Sequence, residues 1–112
     1  MSLKIRSRIW IELEDQVFLG EGRVQVLKAI DEMGSLSKAA KSLNMSYKKA
    51  WRLVDSVNAS AKRPVIISSI GGKEGGGTQL TPYGKSLVHL FDEINQGCWD
   101  YLDTQLDKIE QL

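Results

Sequence analysis

The sequence is short of the residues that mark secreted, membrane-spanning or catalytic chains. Its 112 residues include one cysteine, one histidine and two prolines. A single cysteine excludes a disulfide within the chain and is typical of a reducing compartment. No stretch approaches the roughly 18 consecutive apolar residues of a membrane span, and the first ten residues lack the apolar segment of a signal peptide. We therefore expect a cytoplasmic protein that does not insert into a membrane.

Candidates for catalysis or metal binding are equally scarce. His89 and Cys98 fall on opposite sides of a predicted helix at about 100° per residue, so they cannot form a dyad within one chain. The acidic residues of the C-terminal part lack the His or Cys companions of a transition-metal site. We expect no catalytic residue, no metal site and no cofactor.

The net charge of +1 conceals an uneven distribution along the chain. Residues 34–63 hold seven Lys or Arg against one Asp, whereas residues 85–112 hold two Lys against six Asp or Glu. A basic segment is typical of nucleic-acid binding, although many charge runs are only solvated faces. To predict nucleic-acid binding, a second indication is needed from the residue pattern of this segment.

That segment has the pattern of two short helices joined by a tight turn, which predicts a helix-turn-helix over residues 35–60. Ser35 and Ser46 are candidate N-caps, and Asn44 with Met45 interrupts the period between them. The first helix has one apolar stripe at helical spacing, formed by Leu36, Ala39, Ala40 and Leu43.

The second predicted helix has two contrasting faces. Its predicted apolar side consists of Tyr47, Ala50, Trp51, Val54 and Val57, and its other side of Lys48, Lys49, Arg52 and Ser56. Three positive charges would then share one exposed face, suited to a partner. The three tryptophans, Trp10, Trp51 and Trp99, are far apart and are interpreted as core or dimer packing.

The residues before the helix-turn-helix predict a strand and a helix. Residues 4–13 alternate between polar and apolar side chains, as in a strand, and Val17 to Leu19 can return beside it. A helix follows that carries Val24, Val26, Leu27, Ile30 and Met33 and ends at Gly34. Its wide apolar arc indicates contacts on two sides, either with the strand and the helix-turn-helix or with a second subunit.

Residues 65–81 have the pattern of a two-stranded wing. An apolar β-branched run from Val65 to Ile70 precedes a glycine-rich loop with Lys73 near its tip, and Thr78 to Leu80 can return antiparallel. The alternative is a loop without a binding role. A nucleotide-binding P-loop is excluded because Glu74, and not Ser or Thr, follows Lys73.

The chain closes with a long predicted helix over residues 82–111, opened by Thr81 and Pro82. At about 1.5 Å per residue it would be roughly 45 Å long, longer than a domain of this size can cover. Its apolar seam predicts a homodimer and consists of Leu87, Phe91, Ile94, Cys98, Leu102, Leu106 and Ile109.

Three motifs carry a resemblance to a known family: SYKKAW in the second helix, GGKEGGG in the wing and LTPYG at the last helix. Over about residues 20–95 the chain resembles the N-terminal winged-helix domain of the molybdate-dependent transcriptional regulators, the ModE family. The helix-turn-helix half is similar more loosely to LysR-type regulators. The resemblance implies a DNA-binding homodimer, with Lys73 on the DNA backbone and these residues at the major groove: Ser46, Tyr47, Lys48, Lys49 and Arg52.

The predicted fold is thus mainly α with a small β wing, a winged helix-turn-helix with a long C-terminal dimerisation helix in a single domain of residues 1–112. The predicted function is sequence-specific transcriptional regulation on an inverted-repeat operator in double-stranded DNA. Ser56 is also predicted to bind DNA. The alternative is a winged-helix module that binds proteins and not DNA. A small oxyanion sensor would need ligands that the sequence does not place. Molybdate-sensing family members use C-terminal domains that begin where this chain ends, so we expect this chain alone not to bind molybdate.

Overall fold

The computed structural model describes residues 2–69 and 77–112. Four helices and two antiparallel hairpins follow one another along the chain: β1 (Trp10–Leu13), β2 (Gln16–Gly20), α1 (Glu21–Met33), α2 (Leu36–Ser42), α3 (Tyr47–Ser60), β3 (Ile66–Ser69), β4 (Gly77–Leu80) and α4 (Pro82–Glu110). β1 pairs with β2, and β3 pairs with β4 in a register that joins Ile66 to Leu80. The predicted mainly helical fold with a small β wing is confirmed.

Local signals in the sequence set the helix ends. Three helices begin at a capping hydroxyl that accepts a hydrogen bond from a backbone N–H: Ser35 from Lys38 at 3.2 Å, Ser46 from Lys49 at 3.1 Å, and Thr81 from Gly84 at 3.0 Å. α1 ends at Gly34, whose φ of 65° lies in the left-handed region. Each of these boundaries was predicted from the residue type.

α1 lies at the centre of the core. Its residues Val26, Leu27 and Ile30 are fully buried, and the helix packs against α2, α3, α4, β2 and β4. Val57 of α3 and Val65 before β3 are also fully buried. The strand β2 and the helix-turn-helix therefore cover the apolar arc of α1 within one chain, except at Met33, which is 40% exposed.

The predicted strand over residues 4–13 is correct only for its last four residues. β1 begins at Trp10 because its partner β2 ends there, with Trp10 opposite Gly20. Residues 2–9 lie outside any strand, yet Leu3, Ile5, Ser7 and Ile9 are half-buried while their neighbours are exposed. The Ser7 carbonyl accepts a hydrogen bond from the Trp99 indole at 3.0 Å, so this segment lies against α4. The alternation correctly predicted which side of this segment is covered. It did not predict that α4 lies against the segment.

The second part of α4 extends beyond the core. The buried residues of α4 are Gly84, Val88 and Phe91, all in its first third. The radius of gyration is 17.2 Å and the longest dimension 63 Å, whereas a compact domain of this length has a radius near 13 Å. Within residues 2–69 and 77–112, no helix combines the length and apolarity needed to cross a bilayer.

Candidate nucleic-acid interface

α3 is held by one face and leaves the other in solvent. Ala50, Val54 and Val57 are buried against the core, and α1 and α2 both pack on this helix. The remaining surface of α3 is directed outward, as expected for the second helix of a helix-turn-helix.

Lys48, Lys49 and Arg52 are exposed on that outward surface. In the described part of the chain the ion pairs join Arg8 to Glu21, Lys28 to Asp92, Lys85 to Asp31 and His89 to Glu93, and the three α3 cations take part in none of them. Lys48 and Arg52 are one helical turn apart, and Lys49 lies further round the helix. The site therefore presents three positive charges that form no ion pair within the described residues.

Ser56, the fourth residue of the predicted cationic side, has a different environment. It is half-buried, and its hydroxyl accepts a hydrogen bond from Nη2 of Arg23 at 3.4 Å. Arg23 belongs to α1, so Ser56 lies at the junction of the two helices and not in the middle of the exposed surface. Sequence reasoning missed Arg23 because nothing local connects residues so far apart in the chain.

Two aromatic side chains contradict the predicted apolar side of α3. Tyr47 is 56% exposed and Trp51 is 49% exposed, so neither belongs to the core. On a helical wheel with Trp51 at 0°, the buried Val54, Ala50 and Val57 fall between roughly −60° and −120°, which leaves the two aromatics at the margin of the buried arc. An apolar residue at that margin is covered only if a neighbouring element reaches it.

The same correction applies to Trp10, which is 56% exposed on β1. Its indole N–H donates to the Glu12 carboxylate at 3.0 Å. Trp99 is half-buried against the N-terminal segment. The interpretation of Trp10 and Trp51 as core residues is wrong, and their packing in a dimer stays a prediction.

The base of the wing is fixed to the helix-turn-helix by hydrogen bonds. Oδ1 of Asn58, near the end of α3, accepts from the backbone N–H of Val65 at 2.7 Å and of Ile66 at 3.3 Å. The N–H of Thr78 in β4 donates to the Gly34 carbonyl at 3.1 Å. The two wing strands therefore start from defined positions beside α3 and the α1–α2 turn. The role of Asn58 was not predicted, because its hydrogen-bond partners come after the chain has reversed direction.

A tight joint connects the wing to α4. The Thr81 N–H donates to the Val65 carbonyl at 3.0 Å, and the Thr81 hydroxyl donates to the Pro64 carbonyl at 2.7 Å. Gly84, one turn into α4, packs directly on the Val65 carbonyl oxygen, so that a Cβ there would overlap this oxygen. We define Val65, Thr81 and Gly84 as the wing–α4 joint.

Lys73 and the neighbouring glycines of the wing tip lie outside the described residues. Ser46, by contrast, is placed at the start of α3, where its side chain is committed to the cap. The DNA contacts predicted for Ser46, Tyr47, Lys48, Lys49, Arg52 and Ser56 stay predictions, as does the backbone contact of Lys73.

The predicted dimer seam divides into two parts. Phe91 is 4% exposed in the core and Leu87 packs against it, so these two residues have little surface left for a partner. Ile94 and Ile109 are half-exposed, and Cys98, Leu102 and Leu106 are half-buried. Tyr101, which sequence reasoning missed, is 63% exposed and lines an apolar surface with Ile94, Cys98, Leu102 and Ile9.

Comparison with known proteins agrees with this architecture. The family described as bacterial regulatory helix-turn-helix protein, lysR family, matches residues 22–85. The chain is 42% identical over 86 residues to transcriptional regulator ModE of Haemophilus influenzae, covering 77% of this chain and 34% of that protein. It is 36% identical over 95 residues to the DNA-binding transcriptional dual regulator ModE of Escherichia coli K12, covering 82% and 36%. It is 34% identical over 106 residues to the molybdenum transport protein ModE of Azotobacter vinelandii, covering 92% and 39%.

Solved structures show the same fold at low sequence identity. The crystal structure of a CbnR_DBD–DNA complex matches with a TM-score of 0.59 at 18% identity, covering 79% of this chain and 95% of that one. ArgP from Mycobacterium tuberculosis matches with a TM-score of 0.51 at 16% identity, covering 80% and 30%. The chain spans 34% to 39% of the three curated relatives named above. It belongs to the bacterial regulatory helix-turn-helix family of the lysR type, with a winged-helix domain similar to that of the ModE regulators.

Proposed function

We propose that the chain is a sequence-specific DNA-binding transcriptional regulator that binds an inverted-repeat operator as a homodimer. The observation that carries the proposal is the outward face of α3, where Lys48, Lys49 and Arg52 are exposed and unpaired in the described structure. Exposed cations on a helix that is fixed from behind suit a polyanion, since they need no rearrangement to meet it.

The dimensions of α3 fit the major groove. Its 14 residues span roughly 21 Å, and a groove about 12 Å wide admits one helix. Lys48 and Arg52 lie close to the outward direction, where a guanidinium can donate two hydrogen bonds to a guanine edge. Lys49 lies further round and suits a phosphate. Lys73 of the wing is proposed to contact the backbone as well, which would add affinity without base preference.

The proposed dimer forms through the second part of α4. Ile94, Tyr101 and Leu102 form an apolar surface with Ile9 of the N-terminal segment, and Ile94 and Tyr101 are at least half-exposed. Exposed apolar side chains that lie together on a projecting helix support a contact with a second protein surface. Asp100, Asp103 and Asp107 give the same helix a negative charge, which would keep it away from DNA.

The names of the relatives support the regulatory part of the proposal. The Escherichia coli relative is described as a DNA-binding transcriptional dual regulator, and the match covers the winged-helix part of this chain. A partner on the chromosome would place the chain in the cytoplasm. The fold and the family favour a regulator over an enzyme.

Selection from a random duplex library with the purified protein tests this function. We expect enrichment of an inverted repeat whose half-sites are separated by whole helical turns, because a two-fold dimer presents two recognition helices on one side of the duplex. Affinity should fall steeply with salt, since each neutralised phosphate contributes close to −0.9 to the slope of log K against log salt.

A control variant distinguishes the α3 cations from positive charge elsewhere, because it loses one positive charge as Lys48→Ala does. Lys108→Ala removes one exposed positive charge from the far end of α4 and should leave the selected duplex bound as before. If no duplex is enriched and none binds at low salt, the protein-binding module becomes the better interpretation. An enriched site without two-fold symmetry would contradict the dimer alone.

The expectation about molybdate is part of the same proposal. In the family that the sequence resembles, oxyanion binding belongs to the C-terminal domains, so residues 1–112 alone should bind neither molybdate nor tungstate tightly. Isothermal titration calorimetry with residues 1–112 measures the binding of both oxyanions directly. Dissociation constants in the micromolar range or below would contradict the expectation and leave the DNA-binding proposal standing.

A further inference from the structure

Tyr47 and Trp51 form an apolar strip on α3, between its positive charges and its buried face. Tyr47 and Trp51 are one turn apart, and both line a shallow groove of about 140 Å³ between α3 and the wing. The wing side of that groove is formed by Ile66, Ser68 and Thr78. The fixed wing base holds these strands beside α3, so the strip and the groove have a defined shape.

The hydrogen-bonding groups of the two aromatics are unused. In the described part of the chain the indole N–H groups of Trp10 and Trp99 both donate, to Glu12 and to the Ser7 carbonyl, whereas that of Trp51 has no partner. The Tyr47 hydroxyl has none either within residues 2–69 and 77–112. A half-exposed tryptophan with a free N–H offers both an apolar face and a donor to a partner.

The neighbouring charges identify the partner's chemistry. Arg52 follows Trp51 in the chain and Lys48 lies three residues before it, so any surface that pairs with these cations also meets the strip. Asp55, one turn after Trp51, lines the same groove. A carboxylate would be repelled by phosphate, but it can accept a hydrogen bond from the amino group of cytosine. The chemistry of this strip therefore suits base edges better than the DNA backbone.

In the major groove the apolar group on the base edges is the C5-methyl of thymine. We propose that Tyr47 and Trp51 contact thymine methyl groups and that Trp51 is a specificity-determining residue. This inference rests on the proposed DNA-binding function and adds a direct reading of thymine to the contacts of the cations. It also assigns Trp51 a role outside both the core and the dimer.

Replacing thymine by deoxyuridine tests the inference, because it removes the methyl group and leaves base pairing unchanged. In the selected duplex each thymine is replaced in turn. At a thymine that the strip contacts, the wild-type protein should bind about fourfold more weakly, the loss expected for one buried methyl group. Trp51→Ala should weaken binding to the thymine duplex and bind the thymine and deoxyuridine duplexes equally. Trp51→Phe should keep part of the difference.

A matched control lies on the wing. Ile67 is 56% exposed and is absent from the lining of the groove, so Ile67→Ala should keep the full deoxyuridine penalty. If no thymine gives a penalty with the wild-type protein, the inference is overturned, whether or not the variants fold. A full penalty that persists in Trp51→Ala also overturns it and leaves the DNA-binding function intact. Failure to enrich any duplex would overturn both.

Discussion

The exposed face of α3 and the exposed face of the second part of α4 differ in charge and in apolar surface. Both helices are fixed to the core along one side. α3 presents Lys48, Lys49 and Arg52 with two aromatics, whereas α4 presents Ile94 and Tyr101 on one side and its acidic residues on the other. Cations suit the phosphates of DNA, whereas an exposed apolar surface suits another protein surface. The acidic residues on the other side of α4 would repel DNA.

In the proposed function, one small chain binds DNA through α3 and a second subunit through α4. The exposed part of α3 begins beside the fixed wing, and the exposed part of α4 begins after Phe91, where the core ends. Each face is therefore positioned by the same core, and in the proposed function each binds a different partner. Four sets of substitutions, described from the largest expected effect to the smallest, test the two faces and the contacts that position them.

The double variant Ile94→Asp with Tyr101→Asp places two charges on the most exposed part of the proposed dimer surface. We expect monomers by sedimentation velocity and operator affinity lowered by roughly 100-fold or more, because the second recognition helix is then no longer held beside the first. Binding of an isolated half-site should change little. Gln96→Asp adds a charge on the opposite side of α4 and should remain dimeric. A dimeric double variant would place the interface on another surface.

Gly84→Ala tests the wing–α4 joint. The added Cβ would overlap the Val65 carbonyl oxygen, a backbone atom that cannot move alone, so unfolding should require about 3 kcal/mol less free energy. Gly97→Ala, in the same helix but with nothing within 4 Å of the new Cβ, should instead be neutral or stabilising by up to about 1 kcal/mol. Chemical denaturation measures both. Equal stability of the two variants would contradict the close contact.

Lys48→Ala and Arg52→Ala test the cationic face. Each should weaken binding to the selected operator by roughly 1 to 3 kcal/mol if the side chain reads a base, with a smaller loss on random duplex. Titrations on operator and on random duplex distinguish a side chain that reads a base from one that contacts a phosphate. An equal loss on both, together with a salt slope lower by about one, would reassign that residue to the phosphates.

The ion pair between Lys28 of α1 and Asp92 of α4 should have the smallest effect. The two charged groups are 2.7 Å apart, but both side chains are nearly half exposed, so Lys28→Ala should cost at most about 1 kcal/mol of unfolding free energy. The double variant Lys28→Ala with Asp92→Ala should lower the unfolding free energy by no more than the sum of the two single variants. A larger coupling would show that this pair helps to hold α4 on the core.

Local chemistry explains what could be predicted from the sequence. Ser35, Ser46 and Thr81 form their caps within three residues, and Gly34 needs only its own backbone freedom to end α1. The cationic face of α3 follows from helical spacing alone. These features depend on neighbours in the chain, so the sequence contains most of the information about them.

The missed features depend on contacts between distant residues. Asn58 binds the start of β3 and Ser7 binds Trp99, and neither pairing has a signature in residue type or spacing. The exposure of Trp51 depends on where α1 and α2 stop covering α3. Hydrophobic periodicity gives the direction of the buried face but not its width, which is why Trp51 was predicted to lie in the core.

The wing–α4 joint has a mechanical consequence. Thr81 both caps α4 and holds the start of β3 through the carbonyls of Pro64 and Val65, and the backbone of Gly84 rests on the same strand. α4 therefore cannot roll about its axis without carrying the wing with it. In the proposed dimer, each α4 would act as a lever pivoted at Val65, so that the angle between the two helices sets the span between the two wings along the DNA.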